Sequence, residues 1–216
     1  LTDRVQIETP DVGESLDQNN SQTPYAVADV YVEADGYYPT RIRRVQIFSD
    51  TDSLLPVVLI PISADYTPSL NGIINYNIPP NQLLFPNPRT QSGPNETQAA
   101  AMITQDIYIP ETIRVHLGTP SSNAENVSVP FVEYIKNVTS SEIYPTWPES
   151  SIRANIYAII SLVLNRFFTE WYPSQGYNFD ITNSTQFDQA FVPGRNIFEN
   201  ISRIVDEIFN SYIVRE

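Results

Sequence analysis

The chain has 216 residues, 41% of them apolar, and a formal net charge of -13 with a single lysine, Lys136. This length and apolar content suffice to bury a sizeable core in one large or two small domains, and the charge argues against a nucleic-acid partner, because phosphate binding draws on clustered Lys and Arg. The lack of cysteine and the single histidine, His116, exclude disulfides, a thiolate nucleophile and the usual Cys-based or multi-His metal sites.

The sequence opens inside a strand-like pattern and without Met. It therefore reads as a trimmed or processed fragment, so that a missing targeting segment says little about compartment. Residues 1–63 read as strands. Val5 and Ile7, Val30 to Ala34, Val45 and Ile47, and the run Leu54 to Ile62 carry apolar residues at period two or in short blocks, spaced as in a small antiparallel sandwich. Pro56 and Pro61 put the last run at an edge, because proline cannot donate to a ladder.

Residues 64–106 change character. Six prolines from Pro68 to Pro94 lie among Asn, Ser, Gln and Thr without a sustained period, which reads as an extended linker. Ile73, Ile74, Tyr76 and Leu83 to Phe85 pin it to a neighbouring surface, as an ordered strap. The run QAAAMITQ suits one helical turn.

Residues 107–216 start with a strand over Thr112 to Leu117, a turn at Gly118 to Pro120 and a second extended piece over Asn126 to Val129. His116 falls opposite Ile113, Val115 and Leu117, as a structural or exposed histidine. A short helix follows from Val132 to about Ser141, with Pro130 just before it. From Pro148 to about Trp171 a second pattern is apolar over more than one stripe and reads as a buried helix. Arg153, Asn155, Asn165 and Arg166 interrupt it well short of the roughly 20 apolar residues that a bilayer span needs. Tyr177 to Phe191 reads as a polar loop. The closing stretch is an amphipathic helix whose Glu199, Arg203, Asp206 and Glu207 form a solvated face. Asn-x-Ser/Thr sequons occur at Asn19, Asn95, Asn126, Asn137, Asn183 and Asn200, and chance explains them as well as glycosylation does.

Between the two helical patterns lies the break Glu142-Ile143-Tyr144-Pro145-Thr146-Trp147-Pro148. Its prolines stop helix propagation and place one carboxylate beside two aromatic rings. Held there, the Glu142 carboxyl would feel desolvation and the helix-end carbonyls, both of which raise its pKa toward general-acid work, whereas spacing alone favours a solvated helix-end carboxylate.

The segment YIKNVTSSEIYPTWPESSIRANIYAIISLVLNR resembles the stage II sporulation protein D family, and more closely the clostridial spore cortex-lytic proteins related to it. PETIRVHLGTPSSNAENVSVPFVEYIKNVTSSEIYPTWPE and NRFFTEWYPSQGYNFDITNSTQFDQAFVPGRNIFENISRIVDEIF carry the same likeness, and VYVEADGYYPTRIRRVQIFSDTDSLLPVVLIP resembles the transthyretin-like sandwich of those proteins. The resemblance implies an α+β fold: a partial transthyretin-like β-sandwich over 1–63, a Pro-rich linker over 64–106, and the amino-terminal part of a helix-dominated stage II sporulation protein D-like domain over 107–216.

It also implies cleavage of peptidoglycan glycan strands in the spore cortex or cell wall of a spore-forming bacterium, by a lytic transglycosylase reaction with Glu142 as acid and base and no cofactor. Tyr144, Trp147 and Arg153, with Asp180, Thr182, Ser184, Thr185 and Gln189 of the loop, are the implied substrate-binding residues. That family's loop supplies His and Cys to zinc, and this one has Gln186, Phe187 and Asp188, so no metal is expected. The family's Gly-rich final segment is also missing, so either another chain of a processed precursor supplies it or the fragment is inactive as given. The competing expectation is a non-catalytic peptidoglycan-binding or structural spore-layer protein.

Overall fold

A computed structural model describes residues 24–63, 68, 72–81 and 107–213. The expected strand at Val5 and Ile7, the helical turn in QAAAMITQ, and Asn19 and Asn95 lie outside them. The described residues form a mixed α+β chain of three α-helices and small sheets. It divides into two compact units, Leu1–Pro80 with Val192–Asn200, and Asn81–Phe191 with Ile201–Glu216.

In the first unit, β1 (Ala26–Val32) runs antiparallel to β2 (Thr40–Ile47), and β4 (Ile74–Asn77) lies parallel to β2 on its other side. Period-two alternation sends Val30, Ile42 and Tyr76, which are neighbours across the three strands, to one face. There they pack with Val45, Ile78, Leu55 and Val57.

Ile42 and Val45 are three apart, and strict alternation would put them on opposite faces. A bulge resolves this, because the ladder passes from Ala28↔Val45 to Val30↔Ile42 and leaves Asp29 facing both Arg43 and Arg44. Arg44 takes a φ of 61° there. The Asp29 carboxylate accepts its N–H at 3.1 Å and Nη2 of Arg41 at 2.7 Å.

β3 (Ser53–Leu54) pairs antiparallel with β8 (Ile197–Phe198), and Phe198 meets the Phe48 ring edge-on at 5.2 Å. Beside it Arg195 is fully buried, its Nη1 and Nη2 donating to Gln46 Oε1 at 2.5 Å and the Pro79 carbonyl at 3.1 Å. Desolvation lowers its pKa to about 10, which leaves it charged at neutral pH.

Two readings change here. The run Leu54 to Ile62 is not a continuous strand: only Ser53–Leu54 joins a ladder, with one isolated Tyr37↔Pro61 bridge. Pro56 and Pro61 remove the donors that a longer ladder would need. Within 64–106, β4 is a full member of the first sheet, because Ile74 and Tyr76 supply the inward period-two face.

The second unit is built on a three-stranded sheet. β5 (Thr112–His116) pairs antiparallel with β6 (Asn126–Pro130) and parallel with β7 (Ile181–Thr182). Ile113, Val115 and Ile181 are fully buried in it. α1 (Phe131–Glu142) starts directly after β6, with Pro130 as its N-cap, and buries Phe131, Tyr134, Ile135 and Val138 along one stripe.

α2 (Glu149–Phe168) buries Ile152, Ile156, Ile159, Ile160, Val163 and Leu164. It is sunk along one side only, since Ser150, Ser151, Ala154, Ala158 and Asn165 are exposed and Phe167, Phe168 and Trp171 are half-buried. The expectation of a helix buried around its circumference fails because alanine and serine can face water at little cost. α3 (Glu199–Ile208) buries Ile201, Ile204, Val205 and Ile208. Among the described residues no helix is long and apolar enough to cross a membrane.

Candidate functional site

Glu142 is the last residue of α1 and is 2% exposed. The helix stops because Tyr144 precedes a proline, which disfavours helical backbone there, and Ile143 is already extended at φ -127° and ψ 166°. The freed carbonyls are capped from outside the helix, with Asn81 Nδ2 donating to the Ser140 carbonyl at 3.2 Å and the Ile143 carbonyl at 2.7 Å. A turn closed by the Trp147 N–H on the Tyr144 carbonyl brings the Tyr144 and Trp147 rings edge to face at 6.2 Å.

Among the described residues one hydrogen bond reaches the Glu142 carboxyl, from the Ala190 N–H to Oε1 at 3.1 Å. Desolvation dominates over that single donor and pushes its pKa up to about 7. Three buried oxygens in or beside the break, Asn81 Oδ1, Ser140 Oγ and Thr146 Oγ1, have no hydrogen-bond partner among the described residues.

Around Glu142 lies a buried polar cluster that joins α1, α2 and the 177–191 loop. The Tyr134 hydroxyl donates to Gln189 Oε1 at 3.0 Å, and Gln189 Nε2 donates to the Ile159 carbonyl at 3.2 Å. This fixes the residue just before the Ala190 donor. Burial, then the charges of Asp188 and Glu142, hold the Tyr134 phenol well above its ordinary pKa, so it stays a donor. Asp188 accepts from Arg166 Nε at 2.9 Å, the Tyr172 hydroxyl at 2.5 Å, and the Thr182 N–H and Oγ1 at 3.0 and 2.7 Å. The Tyr172 phenol is pushed up by burial and by the Asp188 charge.

Of the residues singled out from sequence, Glu142, Tyr144 and Trp147 share the break, and Gln189 reaches Glu142 through its neighbour's N–H. Asp180 is buried and accepts from the Arg114 N–H at 2.8 Å and from Arg114 Nη2 at 3.0 Å. Thr182 serves Asp188, the Ser184 carbonyl accepts the Asp188 N–H at 2.7 Å, and Thr185 is exposed.

Arg153 stands in a surface network, ion-paired to Glu149 at 2.7 Å and to Glu207, with Arg203 bridging the same two carboxylates. His116 is buried, with Nδ1 2.7 Å from Asn126 Oδ1, Nε2 3.1 Å from Ser122 Oγ, and its ring stacked on Phe179 at 4.6 Å. Among the described residues no group of three or more His, Asp or Glu is placed to hold a metal ion.

Sequence reading missed Tyr134, Arg166, Tyr172 and the Ala190 N–H. Tyr134 sits on the apolar stripe of α1 and reads as core, and a backbone donor leaves no mark in residue type. Asp188 stands in the loop motif, but only its four donors set it apart from the exposed Gln186 and Phe187 beside it.

No family model, curated protein or solved structure matches the chain.

Proposed function

We propose that the parent protein cleaves peptidoglycan glycan strands as a lytic transglycosylase with Glu142 as general acid and then general base. The observation that carries this reading is a buried carboxyl at a proline-bounded helix end, held by the Ala190 N–H, whose pKa burial pushes up to about 7. In the first half of the reaction the Glu142 proton passes to the glycosidic oxygen as the bond from that oxygen to muramic C1 breaks. In the second half the resulting carboxylate takes the proton of the muramic 6-hydroxyl as that oxygen bonds to C1. The product is a 1,6-anhydro sugar, and Glu142 ends protonated as it began.

A single carboxyl suffices for this sequence, unlike the paired carboxyls of most glycosidases. The fold assignment that accompanies the reading is a stage II sporulation protein D-like second unit behind a transthyretin-like first unit, in a protein of the spore cortex or cell wall. It is supported by the SSEIYPTWP motif and the long resembling segments.

A second reading, a peptidoglycan-binding or structural spore-layer protein without turnover, is favoured by the 2% exposure of Glu142 and by the internal use of Asp180, Thr182 and Gln189. The deciding experiment incubates the full-length parent, this chain and Glu142→Gln with spore cortex peptidoglycan and identifies the released muropeptides by mass. Anhydro-muramic products that disappear in Glu142→Gln are expected. Binding without any products would establish the second reading instead.

A further inference from the structure

The strand register of the first unit carries an observation that Glu142 does not use. The row Val30↔Ile42↔Tyr76 goes to the core, so the flanking rows Tyr31↔Arg41↔Asn75 and Arg43↔Asn77 go to the opposite face of the same sheet. That face is open: Tyr31 is 51% exposed, and Arg43, Arg44, Asn75 and Asn77 are exposed as well. Strict alternation would have turned Arg44 inward with Ile42, and the bulge opposite Asp29 adds it to the open face.

The charge there runs against that of the whole chain. A protein of net charge -13 gathers three arginines within four residues, and only Arg41 is neutralised, by Asp29 at 2.7 Å. Arg43 and Arg44 form no ion pair among the described residues. The face thus combines one aromatic ring, two amides and three guanidinium forks with two carboxylates, Asp29 and Glu33, the latter accepting from the Tyr31 hydroxyl at 3.0 Å, so that cationic groups outnumber anionic ones. A ring offers its face to the C–H side of a sugar, amides pair with vicinal hydroxyls, and guanidinium binds carboxylate in bidentate fashion.

We propose that the open face of the β1-β2-β4 sheet, made by Tyr31, Arg41, Arg43, Arg44, Asn75 and Asn77, binds a glycan strand that bears carboxylates. This rests on the reading that the protein acts on peptidoglycan, whose peptide stems supply those carboxylates. The face holds the polymer through the first unit and does not take part in bond cleavage.

The test is co-sedimentation of the full chain with insoluble peptidoglycan, and with the same material after its carboxylates are amidated. Arg43→Gln with Arg44→Gln is compared with Arg43→Lys with Arg44→Lys and with Glu142→Gln, each checked for folding by circular dichroism. At least tenfold weaker binding is expected for the glutamine pair and for amidated wall, with intermediate binding for the lysine pair and full binding for Glu142→Gln. Unchanged binding by the glutamine pair, or equal binding to amidated wall, overturns the proposal. If Glu142→Gln still releases anhydro products while sedimentation depends on Arg43 and Arg44, the catalytic role of Glu142 fails and the binding face stands.

Discussion

Asp188 and Glu142 are both buried in the second unit, 4% and 2% exposed, yet Asp188 receives four hydrogen bonds, one from a guanidinium, whereas Glu142 receives one from a backbone amide. The same functional group is therefore used in two ways. At Asp188 four donors surround the carboxylate, which ties Arg166 and Tyr172 to the loop strand β7. At Glu142 desolvation outweighs the single donor, and the pKa rises to about 7. A fold that can build the first environment and leaves the second under-supplied has a carboxyl poised near neutrality, which is the property that acid-base chemistry needs.

The largest test of this contrast removes the anchored member. Asp188→Ala strands the Arg166 guanidinium, the Tyr172 hydroxyl and the Thr182 N–H, and stability to urea is expected to fall by about 3–5 kcal/mol, in line with breaking a buried ion pair. A loss within 1 kcal/mol, measured by urea titration at pH 7, would mean that water satisfies those donors and that the contrast is false.

Glu142→Gln should act in the opposite direction. The folded pKa of about 7 lies above the ordinary 4.5, so Glu142 costs no stability below pH 4.5 and costs progressively more as pH rises toward 7. The wild type should lose about 3 kcal/mol across that window through this group, and the glutamine variant, which still accepts the Ala190 N–H, should be more stable by about that amount at pH 8 and equal at pH 4. Urea titrations at the two pH values decide it. If activity exists, its loss in the same variant would join a gain in stability to a loss of function, as expected of a strained site.

Tyr172→Phe removes one of four donors and is expected to cost about 1.5–3 kcal/mol, because its hydrogen bond ends on a charged acceptor. The smallest effect belongs to Arg153→Ala. Its partners Glu149 and Glu207 are exposed and screened, so the unfolding midpoint should barely move and the Glu142 titration, followed by carboxyl carbon NMR, should not move at all. A shifted Glu142 titration would return Arg153 to the site.

The regions that sequence made legible are those where local rules and burial agree. β5, β6 and α1 fall close to where periodicity and the flanking prolines put them, α3 takes only the middle of the closing stretch, and the break after Glu142 follows from the restriction that Pro145 imposes on Tyr144. Legibility failed where partners come from afar. Ile197 and Phe198 carry the helical period of the closing stretch, yet they form β8, because Ser53 and Leu54 offer them a ladder. β4 was hidden among prolines, since its parallel partner β2 lies roughly 30 residues earlier in the chain.

The sequence by itself determined that Glu142 ends a helix at a proline-bounded break, that the chain is α+β, and that this chain holds no cysteine and one histidine. Those properties depend on residue type and on neighbours within a few positions. Tertiary structure alone decided that Glu142 meets a single backbone donor 48 residues away, that Asp188 meets four, that Arg153 is committed to a surface network, and that three arginines share one open sheet face. Proton affinity and ion pairing depend on solvent exclusion and on distances of a few ångström, and folding brings such distances together from remote positions.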